Sequence, residues 1–368
     1  MKIRTIGSGS IKDSRTLSKA STKILIIQTA FLGDVILTLP MLQTLKNHMP
    51  DAFIDFLCIP STSDALKNNL LLRHVIVYDK AGRHKLSGLY NIISRIRKEN
   101  YDLVICPHRS FRSALITYFS RAKFSIGFDR NSLSFLLTRK VSYISKVHEV
   151  ERNLDLVKNI PAIKYREDKA EQKPKLFPSP HDVLFVDKLL TEITASGQSS
   201  VPDNFITFAP CSKWFTKQLP VNKSAEITNS LIDSGFRVIL IGGYEDIGYC
   251  KQLEKKVSNG NLVNICGRLT PIQSSVVISR SKCLVTVDSA AAHLGASTDT
   301  PIVMIFGSTL PSFGFYPLTS KHAIIENNSL PCRPCTDHGR KNCPLKHFKC
   351  MEDLSTKEII QGIENLIT

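Results

Sequence analysis

Long apolar runs are missing from this sequence of 368 residues. No run approaches the roughly 18 apolar residues that a membrane-spanning helix needs. The first 22 residues are basic and rich in Ser and Thr, and they lack the apolar centre of a secretory signal. We therefore interpret residues 1–22 as a disordered basic extension and expect a cytoplasmic protein. Its ten cysteines are then expected to be reduced thiols.

Glycine-rich nucleotide fingerprints are missing as well. The sequence contains neither GxGxxG nor GxxxxGK followed by Ser or Thr, which argues against a dehydrogenase and a P-loop NTPase. Other nucleotides stay compatible, because the N-terminus of a helix at the carboxyl edge of a parallel sheet can hold phosphate. No RNA-recognition motif, KH domain, helix-turn-helix or zinc-finger pattern is evident, which argues against nucleic acid as the partner.

Acidic residues are scarce in the first half of the chain. Residues 1–175 hold 30 Lys and Arg against 15 Asp and Glu, a balance of +15, whereas residues 176–368 hold 18 against 17. Such a field favours a polyanionic partner, and nucleic acid, anionic lipid and phosphorylated glycolipid all qualify on charge. A solvated basic surface that aids solubility explains the same charge.

Short β-branched runs alternate with helical patterns in both halves of the chain. This alternation predicts an α/β fold with two parallel sheets in two Rossmann-like units. In the first half the predicted strands are Lys23–Gln28, Ile54–Cys58, Val75–Tyr78, Leu103–Cys106 and Lys123–Gly127, and the amphipathic helices are Val35–His48 and Leu89–Glu99. In the second half the strands are Phe205–Ala209, Arg237–Ile241, Leu262–Ile265, Cys283–Val287 and Ile302–Ile305, and the helices are Asn222–Ser234, Ile247–Ser258, Pro271–Arg280, Ser289–Ala296 and Ser355–Leu366.

Five prolines interrupt this pattern between residues 161 and 203, around one helical stretch, Asp182–Ser196. We place the interdomain connection at residues 176–203. The N-terminal domain would then span residues 23–175, and the C-terminal domain residues 204–368.

Three segments carry candidate chemistry. In the first βα junction, Gln28–Asp34, glycine permits a tight turn and Asp34 opens a helix, where it is either a cap or a carboxylate that takes a proton. The loop Ala209–Pro220 follows a strand and carries two lysines suited to phosphate, although exposed lysines are also ordinary there. In Val285–Ala296 a strand runs into Asp288 and a helix of small residues, whose free N–H groups would face a ligand. His293, about one turn into that helix, is either structural or a ligand contact.

These segments occur in an order that resembles one known family. The resemblance covers residues 23–367 and is to the ADP-heptose:lipopolysaccharide heptosyltransferases, glycosyltransferase family 9. The matching pieces are the Phe-Leu-Gly-Asp34-Val opening, Ser110–Leu115, His148–Arg152, Lys217-x-x-Pro220, Ile241-Gly-Gly, Asp288-Ser-x-x-x-His293 and Pro301-x-x-x-x-Phe-Gly307. The cysteine-containing tail also looks like the heptosyltransferase II subgroup.

The resemblance implies a GT-B fold, in which two Rossmann-like domains face a central cleft, and an inverting transfer that requires no metal cofactor. The donor would be ADP-heptose, and the acceptor the acidic inner core of lipopolysaccharide, with the enzyme peripheral to the inner membrane. Asp34 would be the general base and Lys217 the contact to the donor diphosphate. Leu219 departs from the family, which has tryptophan there, whereas the single tryptophan of this chain is Trp214.

The same resemblance implies the remaining binding residues. An acidic residue after the Gly-Gly pair contacts the ribose, and it maps to Glu245 or, in an equally legal alignment, to Asp246. The predicted donor-binding set is Ser212, Lys213, Lys217, Glu245, Asp288, Ser289, Ala290 and His293. The predicted acceptor-binding set is Gly33, Arg109, Ser110, Arg112 and Lys123. Arg109, Arg112 and Lys123 are chosen for their position, because they follow a strand end or begin the next strand near the same rim. Rival interpretations are a GT-B transferase for another nucleotide sugar, a nucleotide-sugar epimerase, and a basic polyanion-binding protein without activity.

Four cysteines cluster within residues 332–350, the Cys-rich segment. Cys332, Cys335, Cys343 and Cys350 have the spacing CxxC-x7-C-x6-C, which is compatible with a small tetrahedral zinc site. His338 and His347 lie nearby in sequence. The alternative is four reduced structural thiols.

Overall fold

The aliphatic runs of the first half form one parallel six-stranded sheet. The computed structural model describes residues 22–80, 85–194, 204–257 and 260–368, so nearly all of the predicted basic extension lies outside the described residues. The strand order is β3-β2-β1-β4-β5-β6. The strands are β1 (Lys23–Ile27), β2 (Phe53–Cys58), β3 (His74–Val77), β4 (Leu103–Cys106), β5 (Phe124–Phe128) and β6 (Arg139–Val141).

A second parallel six-stranded sheet repeats the same topology. Its order is β12-β11-β10-β7-β8-β9, so that β7 and β10 are central neighbours in the way that β1 and β4 are. The strands are β7 (Phe205–Ala209), β8 (Arg237–Leu240), β9 (Leu262–Asn264), β10 (Cys283–Val287), β11 (Ile302–Phe306) and β12 (His322–Glu326). All ten predicted strands are present. The two that sequence reasoning missed, β6 and β12, are edge strands with charged or half-buried residues.

Helices connect the strands in both halves. In the first half they are α1 (Leu32–His48), α2 (Lys85–Glu99), α3 (Phe111–Phe119) and α4 (Glu149–Lys158). In the second half they are α5 (Pro180–Thr194), α6 (Val221–Asp233), α7 (Ile247–Glu254), α8 (Pro271–Arg280), α9 (Ala290–Thr298), α10 (Lys349–Glu352) and α11 (Thr356–Ile367). None of the helices in the described ranges is both long and apolar enough to span a membrane.

The prediction that α1 is amphipathic is wrong. Every residue from Val35 to Leu45 is buried, including three polar ones. The Thr38 hydroxyl donates to the Asp34 carbonyl and accepts a hydrogen bond from Gln28, and the Thr44 hydroxyl accepts one from the Glu171 N–H. A helix covered on all sides needs such internal partners for its polar side chains.

Contacts divide the chain into two compact units. One comprises Met1–Ser63, Asn69–Ile144 and Val150–Glu171, and the other Asp64–Asn68, Ser145–Glu149 and Gln172–Thr368. Helix α5, inside the predicted connection 176–203, belongs to the second unit and packs against α8. The core of the second unit includes Cys350 and Met351 together with α11, so the Cys-rich segment is built into its packing.

Candidate functional site

The central neighbours β7 and β10 bring two candidate segments together in the second unit. In a doubly wound sheet the strand order reverses between two such neighbours, and the loops that leave their carboxyl ends diverge around a binding site. The loop after β7 runs from Pro210 to Pro220, and β10 leads into Asp288 and α9. The sequence separates these segments by about seventy residues, whereas the sheet places them side by side.

Lys217 and Asp288 form a buried ion pair at this position. The Lys217 Nζ lies 2.6 Å from Asp288 Oδ2, and the two side chains are 12% and 7% exposed. The Thr309 hydroxyl donates to the same carboxylate oxygen at 2.7 Å. Ser212 donates to the Asp288 carbonyl at 3.4 Å. Two residues that were predicted separately as donor contacts therefore act as one charged pair.

The start of α9 lies directly beyond Asp288. Ser289 is the N-cap and Ala290 the first helical residue, and the Ser289 side chain makes no capping hydrogen bond. His293 is buried, and its Nδ1 has no hydrogen-bond partner among the residues that the structure describes. Burial lowers the pKa of His293 to about 3, with smaller contributions from His148 and Lys217 in the same direction and from Asp288 in the opposite one. The ring is therefore neutral near pH 7, beside an uncapped helix start.

Glu245 and Asp246 differ in their surroundings. The exposed Glu245 carboxylate pairs with Lys213, with Nζ and Oε2 2.8 Å apart. Asp246 instead accepts the Gly243 N–H at 2.8 Å, and burial raises the pKa of its carboxyl group. Glu245 is thus the carboxylate that is open to a ligand, whereas Asp246 holds the turn after β8.

In the first unit, Asp34 lies at the third position of α1 and not at its N-cap. Phe31 is the N-cap, and its backbone N–H donates to Asp34 Oδ2 at 3.2 Å. The expectation that Asp34 itself is the N-cap is corrected by three residues, although its carboxylate still satisfies the N–H of the N-cap residue. Gly33, in the same turn, is half-buried.

A hydroxyl network surrounds His108, which follows β4. The His108 Nδ1 lies 2.8 Å from the Thr29 hydroxyl and 2.9 Å from the Ser113 hydroxyl. Ser110 caps α3 by accepting the Ser113 N–H and is 3.3 Å from the same ring nitrogen. Burial, with the nearby charges of Lys80 and Arg109, lowers the pKa of His108 to about 4, so the ring is neutral.

Lys80, which follows β3, lies at the same carboxyl edge of the first sheet. Its ammonium donates to the Thr29 carbonyl at 2.7 Å, and its own carbonyl accepts from Arg112 at 3.0 Å. Burial and the Arg112 charge lower the pKa of Lys80, while the Asp34 charge opposes them. A lysine and an aspartate therefore influence each other electrostatically beyond the carboxyl ends of β1 and β3.

Arginines gather around Tyr143 after β6. The guanidinium carbons of Arg109, Arg130 and Arg152 lie 4.1, 5.1 and 4.8 Å from the centre of its ring. Arg109 and Arg130 are exposed, whereas Arg152 is buried. The aromatic ring stabilises these neighbouring cations, and it leaves two guanidinium groups available to an anion.

The prediction that Lys123 shares a rim with Arg109 and Arg112 is wrong. Lys123 precedes β5 and pairs with Asp102, which precedes β4, at 2.7 Å. Because all strands of this sheet are parallel, residues before a strand lie at the amino edge, opposite residues that follow one. Lys123 therefore belongs to the other end of the sheet.

The four predicted zinc ligands are free thiols. Cys332 Sγ lies 3.9 Å from His347 Nε2, and the other histidine, His338, packs on Trp214. Across the described ranges, no set of three or more His, Cys, Asp or Glu side chains is arranged to hold a metal ion. The geometry gives the zinc hypothesis no support.

Sequence reasoning missed Thr29, Lys80, His108, Arg130 and Thr309. Lys80 and His108 follow strand ends directly, so the rule that ligands bind beyond the carboxyl ends of strands would have singled them out. Thr309 carried no such signal, because its role depends on contact with Asp288, 21 residues earlier.

The model of glycosyltransferase family 9 (heptosyltransferase) matches residues 89–347, well over half of the chain. The chain belongs to glycosyltransferase family 9. It is a glycosyltransferase of the heptosyltransferase family, as the sequence resemblance predicted.

Heptosyltransferases of other bacteria match most of the chain. Lipooligosaccharide heptosyltransferase 2 of Campylobacter jejuni is 26% identical over 94% of this chain and 98% of its own length. Lipopolysaccharide heptosyltransferase 3 of Escherichia coli is 24% identical over 75% of this chain and 80% of its own length. The structure of E. coli ADP-heptose lps heptosyltransferase II, 21% identical, matches with a TM-score of 0.75 over 94% of this chain and 98% of that one. This family member therefore has the predicted GT-B fold.

Lys217→Ala and Asp288→Ala should each weaken donor use without unfolding the protein. Loss of Lys217 removes the cation at the uncapped helix start, and loss of Asp288 leaves the ammonium of Lys217 buried without its partner. We expect the KM for an ADP-sugar to rise by about 10- to 100-fold, the effect of losing one charged hydrogen bond. Steady-state kinetics at low donor concentration measure this, and wild-type kinetics in either variant would remove that residue from the site.

Zinc in the Cys-rich segment is tested by elemental analysis of protein that was purified under reducing conditions. The contacts around the four thiols predict less than about half an equivalent of zinc, because a structural site is filled stoichiometrically. One equivalent, lost together with stability in a chelator, would establish the zinc site instead.

Proposed function

We propose that this protein transfers a heptose from ADP-heptose to the inner core of lipopolysaccharide, with inversion and without a catalytic metal. The observation that carries the proposal is the buried Lys217–Asp288 pair at the uncapped start of α9, in a member of the heptosyltransferase family. A diphosphate needs positive charge and N–H dipoles as it leaves. The ADP-heptose named for the related heptosyltransferase II fits such a site.

The transfer is a single displacement. An acceptor hydroxyl attacks the anomeric carbon as the bond from that carbon to the diphosphate oxygen breaks, and ADP leaves with the bonding electrons. Asp34 takes the hydroxyl proton, while Lys217 and the N–H groups of α9 stabilise the charge on ADP. Glu245 meets the ribose, and Asp288 holds Lys217 and contacts the sugar.

The acceptor is proposed to bind the first unit through its acidic groups. Arg109 and Arg130 on Tyr143, with Arg112 beside Lys80, lie after strand ends of the same sheet and suit a phosphate or carboxylate of the inner core. Such an acceptor is anchored in a membrane. The basic balance of the first half therefore favours a peripheral position at the cytoplasmic face of the inner membrane.

A transferase that uses another nucleotide sugar is the second candidate. Leu219, at the position where the family has tryptophan, is buried, and Trp214 takes a different place in the loop. This exchange changes packing beside Lys217 and thereby the surface that a sugar meets. Purified protein incubated with ADP-heptose and core acceptors that carry no heptose, one heptose or two, followed by NMR of the new linkage, tests the first candidate. Transfer from a different nucleotide sugar with ADP-heptose inert would favour the second.

Asp34→Asn separates the catalytic role of Asp34 from its structural one. The asparagine side chain keeps the size and can still accept the Phe31 N–H, but it cannot take a proton. We expect turnover to fall by about 10²- to 10⁴-fold while the melting temperature and ADP binding stay nearly unchanged. An active Asn variant would assign proton transfer to another group or to water.

Arg109→Met should weaken acceptor use, with Lys123→Met as the matched control. Both changes remove one positive charge, but Lys123 lies at the opposite edge of the sheet. We expect the acceptor KM to rise about tenfold in Arg109→Met and its dependence on salt to become weaker. Equal effects in the two variants would show that only the overall charge matters.

A further inference from the structure

The Cys-rich segment is hydrogen-bonded to the loop that carries Lys217. The Arg340 N–H donates to the Thr216 hydroxyl at 2.8 Å, and the Thr216 N–H donates to the Arg340 carbonyl at 3.1 Å. Ser308 adds a hydroxyl contact to Thr216 at 2.9 Å, and the Cys335 N–H donates to the Ser308 carbonyl. Thr216 is buried and directly precedes Lys217.

Gly339 packs closely against the same loop. Its φ of +97° lies in the region that favours glycine, and an added Cβ would lie 2.7 Å from the Trp214 Cβ and 3.3 Å from the Lys217 Cγ. His338 packs on the Trp214 ring, with ring centres 5.1 Å apart. The backbone of the segment therefore sets where the stem of Lys217 lies.

Arg333 supports Asp288, the other member of the pair, through Thr309. Its side chain is 3% exposed and donates to the Thr309 carbonyl at 2.9 Å, the Asn327 carbonyl at 2.7 Å and Glu326 at 2.8 Å. It thereby ties the end of β11 to the end of β12. The hydroxyl of Thr309 in turn donates to Asp288.

We propose that residues 333–340, together with Thr309, are the positioning element of the donor site and hold the Lys217–Asp288 pair from both sides. One arm reaches Lys217 through Thr216 and Gly339, and the other reaches Asp288 through Arg333 and Thr309. The inference rests on the proposed function for the role of the pair, but the contacts themselves do not depend on it. A lysine side chain has four rotatable carbons and loses much conformational freedom when fixed, so an external support lowers the cost of placing its ammonium.

Gly339→Ala tests the first arm, with Gly235→Ala as the matched control. Both glycines have a positive φ, but an added Cβ at Gly235 meets nothing within 4 Å. We expect Gly339→Ala to raise the dissociation constant for ADP and the donor KM about fivefold or more and to shift the emission of Trp214, the single tryptophan. Gly235→Ala should lower the melting temperature and leave ADP affinity and emission at wild-type values.

Thr309→Val tests the second arm and does not strain the backbone. It removes the hydroxyl that holds Asp288, so we expect ADP affinity to fall about tenfold with unchanged Trp214 emission. Thr309→Ser restores the hydroxyl and should bring ADP affinity back to within about twofold of wild type.

The outcomes separate the inference from the proposed function. Wild-type ADP affinity in both Gly339→Ala and Thr309→Val, measured by calorimetry on folded protein, would overturn the positioning role and leave the function standing. A wild-type protein that fails to bind ADP would overturn the function and the inference together. Reduced affinity in both variants, with rescue by Thr309→Ser, would establish the positioning role.

Discussion

The contact between Lys217 and Asp288 is the interaction on which the proposed donor site depends. Two charges that are removed from water cost free energy unless each finds a partner, and here each is the partner of the other. Thr309 donates a further hydrogen bond to the carboxylate, and α9 begins one residue beyond Ser289. The pair thus stabilises the Lys217 ammonium group in a buried position, where a lysine without an anionic partner would be unfavourable.

The strand order makes this contact available. In each sheet the two central strands are neighbours, although they are far apart in the chain. The loops that follow these strands carry the candidate functional side chains. In the first unit these are Asp34 after β1 and the neutral His108 after β4. In the proposed function the same topology serves two purposes: proton transfer and acceptor charge in one unit, and the diphosphate in the other.

The sequence was informative wherever a signal was local. Ten of the twelve strands in the described chain were predicted, because buried parallel strands appear as continuous apolar runs, and the edge strands β6 and β12 do not. Asp34, Lys217 and Asp288 were selected as candidate site residues because motifs mark them. Lys123 was assigned to the wrong edge because proximity in sequence to a strand does not tell which end of the strand a residue meets.

Non-local contacts set the limit of this reasoning. The pairing of Lys217 with Asp288 joins residues 71 positions apart. The proposed support from Arg333 and Gly339 comes from the Cys-rich segment, for which the sequence suggested only a zinc site. A buried arginine that donates to backbone carbonyls has no sequence pattern. Its role emerges only when the ends of β11 and β12 are seen together.

The affinity for ADP relative to AMP, measured in wild type and in Lys217→Met, tests the central claim most directly. If Lys217 binds the diphosphate, the wild type prefers ADP over AMP by about tenfold or more, and Lys217→Met loses most of that preference while it keeps its affinity for AMP. An equal preference for ADP in the two proteins would contradict the account.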